Sequence, residues 1–475
     1  MNSPHANPAS VHPNFLLARQ RSAFLHEGAP TLVQRRADLR RLKAAILARQ
    51  GEIEQALKAD FGHRSTHETT IMELIPLVHG INYLLRNLRR WMRPQKRQVP
   101  LHFQPASARI EYQPLGVIGI MVPWNYPMSL ALMPLATAIA AGNRAMIKPS
   151  EYTPATTRLL QAMMAELFAP EQVAVVTGDA SVGEAFSGLA FDHLVFTGST
   201  AVGKAVMRAA SEHLVPVTLE LGGKSPAIVE RGHDLERAAG SIAYGKLANA
   251  GQTCIAPDYV LVHEAEVEGF VQAYDRAVRT LYPEGPSSTN YTSIVNERHY
   301  GRICALLDDA RAHGARVNEV GVQPGDAQQR PHTLAPTLVL GASNEMRIMQ
   351  DEIFGPVLPV MTYRTLDEAI AHINAHPRPL ALYYFGFNRA SQRQVLDRTT
   401  SGNVTLNDTL LHFAQDDLPF GGVGPSGIGA YHGVEGFRAL SHAKGIFQQS
   451  RINFSGLLRP PFGKLAQLIV TFLLR

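Results

Sequence analysis

The chain is poor in cysteine, with only Cys254 and Cys304 among 475 residues. Two widely separated thiols give no disulfide framework and no metal-ligand spacing, so we expect a cytoplasmic protein without a bound metal. The net charge is also small: 45 basic and 40 acidic residues give a formal net charge of +5. For a chain of this length, such a net charge predicts no nucleic-acid partner. No apolar run approaches the roughly 20 residues that a membrane-spanning helix needs.

The two ends of the chain differ in composition. Residues 1–14 are rich in Pro, Ser, Asn and His but lack a basic start and an apolar core, which predicts an unstructured tail and no signal peptide. Residues 456–475 form an apolar tail whose run 465–474 would be, as a helix, roughly 15 Å long, half of a hydrocarbon core. We expect this tail to cover a substrate opening or a subunit contact, with peripheral membrane contact as an alternative.

The order of apolar patterns predicts an α/β fold with two or three domains. Residues 32–57 and 67–91 have helical periodicity, and a proline-bounded stretch at 99–114 indicates a strand or hairpin arm. Strand-like runs then alternate with helical ones, at 116–122, 143–148, 172–176, 193–196, 226–229, 259–263, 337–340 and 357–361, before a last strand near 445–449. This alternation is typical of a doubly wound parallel sheet with helices on both faces.

Cys254 is the candidate nucleophile. A lone cysteine is more often an apolar filler, as expected for Cys304, but polar Gln252 and Thr253 precede Cys254 at a predicted helix break. A thiol needs a base, and Glu220 lies in an apolar, glycine-bounded frame that would raise its pKa into a useful range. Asn125, which follows the first predicted strand of the alternating block, is either a satisfied loop amide or a donor to an oxyanion.

The segment Phe196-Thr-Gly-Ser-Thr-Ala-Val-Gly203 is predicted to be a strand that runs into a glycine-bounded turn and then into a helix. Gly198 allows a tight turn, Gly203 allows close packing, and amides at the helix start can bind phosphate. The spacing is one glycine short of the common dinucleotide-binding fingerprint. A strand-to-helix turn that binds no ligand is therefore as well supported as a phosphate-binding turn.

Polar residues at other strand ends fit a nucleotide. Lys148 and Glu151 can bind ribose hydroxyls, and the carboxylate would repel a 2′-phosphate, which favours NAD over NADP. Glu352 could hold a second ribose and Phe354 could press on a flat ring. The alternatives are a surface helix cap at Lys148 and a plain strand start at Glu352.

These motifs together resemble the aldehyde dehydrogenase superfamily. The resemblance covers nearly the whole chain through Pro123-Trp-Asn, Lys148-Pro-Ser-Glu, Phe196-Thr-Gly-Ser-Thr, Leu219-Glu-Leu-Gly-Gly-Lys, Gly251-Gln-Thr-Cys, Glu352-Ile-Phe-Gly-Pro and Pro419-Phe-Gly-Gly-Val-Gly. Gly251-Gln-Thr-Cys-Ile-Ala-Pro-Asp-Tyr and Arg459-Pro-Pro-Phe-Gly-Lys are most similar to the class 3 branch, and within it to coniferyl aldehyde dehydrogenases.

The resemblance implies oxidation of an aldehyde to an acid. Cys254 would form a thiohemiacetal whose oxyanion is stabilised by Asn125 and the Cys254 amide, hydride transfer would leave a thioester, and Glu220 would activate the hydrolytic water. It implies NAD, with NADP as an alternative, held by Pro123, Trp124, Lys148, Ser150, Glu151, Gly178, Gly198, Ser199, Thr200, Gly203, Leu221, Glu352 and Phe354.

The resemblance also implies a division into domains. Residues 1–98 and 117–218 would bind NAD, 219–410 would be catalytic, and 99–116 with 430–455 would form an oligomerisation arm of a homodimer. The implied substrate is a coniferyl-type aromatic aldehyde, with medium or long-chain aliphatic aldehydes as the alternative. A cofactor-independent thiol esterase is a lesser alternative, disfavoured by Lys148 and Gly198. A base at Glu220 would activate water to hydrolyse the thioester, which argues against an enzyme that transfers the acyl group to CoA. The presence of Cys254, Glu220 and Asn125 argues against a catalytically inactive relative.

Overall fold

The computed structural model describes residues 12–322 and 330–474. Its helices are α1 Pro13–Glu27, α2 Leu32–Ala48, α3 Gln50–Asp60, α4 Thr66–Thr69, α5 Ile75–Trp91, α6 Pro127–Ala141, α7 Pro154–Leu167, α8 Ala180–Ser187, α9 Thr200–Ser211, α10 Leu235–Leu247, α11 Val267–Leu281, α12 Glu297–Ala312, α13 Arg347–Gln350, α14 Leu366–Asn374, α15 Arg389–Arg398, α16 Gly433–Ala439 and α17 Lys464–Leu473. A π-helix, Thr70–Leu74, joins α4 to α5.

The strands form three sheets. They are β1 Gln95–Arg97, β2 Ser107–Pro114, β3 Val117–Met121, β4 Arg144–Lys148, β5 Val173–Val175, β6 His193–Thr197, β7 Val217–Glu220, β8 Pro226–Val229, β9 Tyr259–His263, β10 Arg316–Glu319, β11 Thr337–Leu340, β12 Val357–Tyr363, β13 Ala381–Phe385, β14 Asn403–Leu406, β15 Gly427–Ile428 and β16 Ser441–Gln448.

The first sheet has the order β15-β7-β6-β3-β4-β5 and is parallel except for β15. Successive residues of its strands point to opposite faces, so Ile118 and Ile120 pack with the α6 and α7 side while Val117 and Leu194 pack with α1, α8 and α9. Apolar residues on both faces are what a parallel sheet covered by helices requires. The predicted doubly wound α/β fold is confirmed.

The second sheet has the order β10-β11-β12-β9-β8-β13-β14, and only its β10–β11 pair is antiparallel. The predicted domain boundary at 219 falls within β7, which belongs to the first sheet, and the second sheet's chain begins at β8. β15 returns late in the chain to pair with β7 through Gly427 and Glu220. The division into domains stays a prediction.

The third sheet is a small antiparallel one of order β1-β2-β16. β2 and β16 pair along eight residues, from Ser107 with Gln448 to Pro114 with Ser441. The predicted strand at 445–449 therefore starts four residues earlier than expected, and β1 was not predicted. A strand this short, with three polar residues, carries no alternation that marks it in the sequence.

Helix boundaries differ from the sequence prediction at several points. The segment 32–57 is two helices that meet at Arg49, whose φ of −109° and ψ of 19° break the hydrogen-bond ladder. Pro13 begins α1, so the predicted unstructured tail is wrong at its last two residues, and residues 1–11 lie outside the described part. Proline is favoured at a first helical turn because its missing N–H has no partner there.

The C-terminal tail contains α17, of ten residues. Apart from Ala466, most of its side chains are exposed, including Leu465, Leu468 and Phe472. Within residues 12–322 and 330–474, no helix has the length and apolar character needed to cross a membrane.

Candidate active site

The carboxyl edge of the first sheet collects the candidate residues. β3 leads to Asn125, β4 ends at Lys148, β6 leads to Gly198 and β7 ends at Glu220. Parallel strands bring their carboxyl ends to one edge, which is where open α/β sheets bind ligands.

Cys254 follows a left-handed turn. α10 ends at Leu247, three residues earlier than expected, because Asn249, Ala250 and Gly251 have φ of 53°, 51° and 76°. Two non-glycine residues in that region are a strain that persists only where the surroundings impose it. A Cβ on Gly251 would stand 2.2 Å from the Gly355 carbonyl oxygen, so only glycine fits there.

Gln252 fixes the loop that carries the thiol. Its buried Nε2 donates to the Asn249 carbonyl at 2.9 Å and to the Ser293 carbonyl at 3.1 Å, while its Oε1 accepts from the Val295 amide at 2.9 Å. A fully satisfied buried amide holds one backbone conformation, because every alternative leaves polar groups unpaired. Cys254 is thereby presented on a rigid loop.

Asn125 is attached to the same loop. Its Nδ2 donates to the Gln252 carbonyl at 3.1 Å, and its backbone carbonyl accepts from Asn249 Nδ2 at 3.0 Å and from Arg64 Nη1 at 3.0 Å. A carboxamide nitrogen carries two N–H groups. One is therefore available for a ligand beside Cys254.

Arg64 and Glu73 form a fully buried ion pair, with Arg64 Nη1 and Glu73 Oε1 3.2 Å apart. Glu73 Oε2 also accepts from the amides of Met128 and Ser129 at 2.9 Å each, and so caps α6. The pair thus supports the Asn125 backbone from one side and the start of α6 from the other. Sequence reasoning missed both residues, since isolated charges between helical segments usually face solvent.

We expect Arg64→Met to lower the free energy of unfolding by about 3–5 kcal/mol, because Glu73 would stay buried without its partner. Urea unfolding followed by circular dichroism measures the change. The matched control is Arg276→Met, whose pair with Glu236 has side chains 56% and 59% exposed and should leave the unfolding midpoint unchanged. Equal effects in the two variants would contradict a structural role for the buried pair.

Glu220 is buried, and in the described part of the chain neither of its carboxylate oxygens has a hydrogen-bond partner. Burial raises the pKa of Glu220 well above its usual value. Burial also raises the pKa of the Cys254 thiol to about 12, helped by the charges of Glu352 and Glu220 and opposed by the amides of Cys254 and Ile255. The Cys254 thiol therefore rests protonated at neutral pH, and Glu220 holds its proton to a higher pH than an exposed carboxyl group does.

Cys254 and Glu220 lie between two cavities. One, of about 420 Å³, is lined by Pro123, Trp124, Asn125, Thr197, Gly198, Ser199, Glu220, Gly222, Cys254, Arg298, His299, Arg302, Glu352 and Phe354. The other, of about 160 Å³, is lined by Ile71, Met72, Pro76, Tyr126, Ser129, Leu130, Thr197, Glu220, Tyr244, Thr253, Cys254, Ile255, Leu410, Leu411, Phe413, Ala414 and Phe420. We name them, after the ligands that the sequence predicts for their lining residues, the cofactor cavity and the substrate cavity.

The cofactor cavity contains several of the residues predicted to bind a dinucleotide. Ser199 caps α9, with its Oγ accepting from the Val202 amide at 3.4 Å, and the first amides of this helix face the strand edge. A Cβ on Gly198 would meet the Phe196 ring at 2.6 Å, and one on Gly203 would meet Leu221 at 2.6 Å. Close packing of helix, turn and strand, which the glycine spacing predicted, therefore occurs here.

The opposite wall of the cofactor cavity carries aromatic and acidic groups. Trp124 lies 5.3 Å from Phe354 and 4.7 Å from His299, measured between ring centroids. Burial raises the pKa of Glu352 to about 8, and Gly222 is close enough that a Cβ there would stand 2.1 Å from a Glu352 carboxylate oxygen. Sequence reasoning missed three residues of α12 in this wall: Arg298, His299 and Arg302.

Other predicted cofactor residues lie outside that cavity. Lys148 Nζ donates to the Pro149 carbonyl at 2.8 Å and lies 3.9 Å from Glu151, next to Ser150. Gly178 packs on Val182, which lines an apolar groove of about 610 Å³ between α7 and α8. Thr200 Oγ1 donates to the Pro425 carbonyl at 3.1 Å.

The fold and site define the class of protein. The family model described as "Aldehyde dehydrogenase family" matches residues 3–446, so the chain belongs to this family of NAD(P)-dependent enzymes. The class of enzyme predicted from the sequence is confirmed.

Particular relatives refine the comparison. A "Probable coniferyl aldehyde dehydrogenase" of Pseudomonas aeruginosa is 53% identical over 455 residues, covering 96% of this chain and 94% of the relative. The structure "Substrate bound state of Staphylococcus Aureus AldH" has a TM-score of 0.91 and 37% identity, covering 97% of this chain and 99% of that one. A betaine aldehyde dehydrogenase from Staphylococcus aureus, solved in complex with NAD+, has a TM-score of 0.83 and 27% identity, covering 92% and 87%.

Proposed function

We propose that this enzyme oxidises aromatic, coniferyl-type aldehydes to carboxylic acids with NAD, through a thioester on Cys254. The observation that carries the proposal is that Cys254 and Glu220 line both cavities, so that substrate and cofactor would meet at a thiol and a base. The Pseudomonas aeruginosa relative, described as a probable coniferyl aldehyde dehydrogenase, supports the substrate class.

Each residue has a defined role in this reaction. The Cys254 thiol gives up its proton to water as its sulfur adds to the aldehyde carbon, and the free N–H of Asn125 with the Cys254 amide stabilises the resulting oxyanion. The chemistry that bound NAD would supply here is a hydride acceptor for that carbon. Glu220 then takes a proton from water, which attacks the thioester and releases the acid and the thiol. Unpaired carboxylate oxygens at a cavity wall suit this proton transfer, because no donor from residues 12–322 or 330–474 competes for them.

The cofactor would occupy the first cavity and the groove beyond it. Ser199, Thr200 and Gly198 would hold the pyrophosphate at the α9 start, Lys148, Ser150 and Glu151 a ribose, and Pro123, Trp124, Leu221, Glu352 and Phe354 the nicotinamide side. The groove beside Gly178 would take the adenine between α7 and α8. The side chain of Glu151 is 37% exposed, so its carboxylate would face a 2′-phosphate and favour NAD.

The substrate cavity favours a flat ring. Its volume of about 160 Å³ is close to that of an apolar cavity that binds benzene, about 150 Å³. Phe413 and Phe420 contact each other at a centroid distance of 5.1 Å, nearly perpendicular, and provide an aromatic wall. Aliphatic aldehydes would lack these ring contacts.

A panel of aldehydes tests the proposal. We expect kcat/KM, followed by NADH absorbance, to be roughly tenfold or more higher for coniferaldehyde than for hexanal or decanal, and higher with NAD than with NADP, because of ring packing and Glu151. Preference for the aliphatic aldehydes would reject the substrate class. Ester hydrolysis without any NADH formation would favour the thiol esterase instead.

We also propose a cytoplasmic homodimer assembled through the arm sheet. β16 is an eight-residue edge strand with an exposed Phe447, and such an edge can pair with a second copy. The tail 456–474 lines neither the cofactor nor the substrate cavity of its own chain, so we assign α17 to a subunit contact. Light scattering of the full chain measures whether it is a dimer, and light scattering of a 1–464 truncation measures whether the tail contributes to the subunit contact. Flotation with anionic vesicles tests the membrane alternative.

A further inference from the structure

The substrate cavity is polar at its inner end and almost wholly apolar at its rim. Near the thiol, Tyr126 and Thr253 are buried and hydrogen-bonded to each other through their hydroxyls at 2.6 Å. At the rim, Tyr244 is 41% exposed, and Ile71 and Leu411 are each 50% exposed. Tyr244 thus supplies the polar atom at the outer end of the lining in the described chain.

The Tyr244 hydroxyl faces across the rim. It lies 3.8 Å from the sulfur of Met72, so α10 and the π-helix approach each other here. A π-helical turn bulges outward and is frequent at functional sites, and this one places Met72 at the rim and Glu73 in the buried ion pair. A thioether is a weak acceptor, and a stronger one on a ligand would displace it.

The phenol remains a donor at neutral pH. Burial, followed by the charges of Glu68 and Asp408, raises the pKa of Tyr244 above its usual value. Glu68 is itself held in place, since it accepts from the Asn249 amide and the Thr292 hydroxyl. The groups that face Tyr244 therefore keep its proton in place.

Size fixes which part of a substrate reaches Tyr244. One benzene-sized ring fills the cavity of about 160 Å³. With its aldehyde at Cys254, a cinnamaldehyde-type molecule would therefore place the far side of its ring at the rim. A hydroxyl or methoxy group there would meet the Tyr244 phenol.

We propose that Tyr244 is a specificity-determining residue that hydrogen-bonds a polar substituent on the ring, opposite the aldehyde. This assignment rests on the proposed function, because it names the feature of an aromatic aldehyde that the same cavity reads. It separates hydroxylated and methoxylated aldehydes from unsubstituted ones.

The test compares coniferaldehyde with cinnamaldehyde in wild type and Tyr244→Phe. The ratio of their kcat/KM values is expected to fall by about five- to tenfold, mainly through KM for coniferaldehyde, because one neutral hydrogen bond is lost. Tyr112→Phe, in the arm strand β2, removes a phenol elsewhere and should leave the ratio as in wild type.

Met72→Leu separates the hydrogen bond from a loosened rim. It removes the sulfur but keeps the phenol, so the ratio should stay within about twofold of wild type. An unchanged ratio in Tyr244→Phe, or an equal fall in Met72→Leu, would overturn the assignment. Absence of NADH formation by wild type with either aldehyde would instead overturn the proposed function.

Discussion

Replacement of Cys254 by alanine is expected to abolish NADH formation from every aldehyde, with a loss on the order of 10⁴-fold or more. Alanine cannot bond to the carbonyl carbon, so neither the thiohemiacetal nor the thioester can form. Initial rates of NADH absorbance at saturating aldehyde measure the effect. The loop should keep its shape, because Gln252 and Asn249 hold it through groups other than the thiol.

Cys304→Ala is the matched control. Cys304 lies on α12, packs against an apolar cluster of the second sheet and lines neither active-site cavity. Its replacement should leave kcat and KM as in wild type. If Cys254→Ala kept a substantial fraction of activity, the reaction would not pass through this sulfur.

Glu220→Gln is expected to keep a burst of about one NADH per active site and then to slow turnover by roughly 10²–10⁴-fold. The amide cannot accept a proton from water, so the thioester accumulates. Stopped-flow absorbance separates the burst from the steady state. Added hydroxylamine should restore turnover, because it attacks the thioester without a general base.

The pH dependence of the two enzymes adds a second readout. Hydrolysis needs ionised Glu220, whose pKa is raised by burial, so the wild-type steady-state rate should fall as pH falls through that raised value. The residual rate of Glu220→Gln should lose this dependence. Loss of the burst itself would mean that Glu220 acts earlier, on the thiol.

The Cys254 thiol needs a nearby positive charge to lower its pKa, and it lies in the wall of the cofactor cavity. With a pKa of about 12, Cys254 is protonated at neutral pH, and ionised Glu352 or Glu220 would disfavour the thiolate further. The Cys254 and Ile255 amides act in the opposite direction. The positive charge of a nicotinamide at the neighbouring cavity would add to them.

The sequence predicted the residues whose chemistry is carried by a local pattern. Cys254, Glu220 and Asn125 each follow or end a strand or helix, and the glycine spacing at Gly198 and Gly203 marks a strand-to-helix turn. Periodicity likewise located most of the strands of both large sheets. Asn125 and Glu220 line one cavity because the parallel strands β3 and β7 end at one edge of the first sheet, and the turn after α10 brings Cys254 to the same cavity.

The sequence could not reveal contacts made over long separations. Arg64 reaches the carbonyl of Asn125, and Glu68 reaches the amide of Asn249, across 61 and 181 positions respectively. No periodicity links such residues. The left-handed turn at Asn249 and Ala250 was hidden for a related reason, since alanine does not favour a positive φ and the surrounding hydrogen bonds impose the turn.

The two cavities share a wall, and each has an opening of its own. In their described linings, the cofactor cavity and the substrate cavity share only Thr197, Glu220 and Cys254. If each cavity takes its proposed ligand, we expect the acid product to leave on one side while the nucleotide stays on the other, so that neither molecule blocks the other's exit. A bulky group attached to the Cys254 sulfur would lie where the two cavities meet, and it would block the cofactor cavity and the substrate cavity at once.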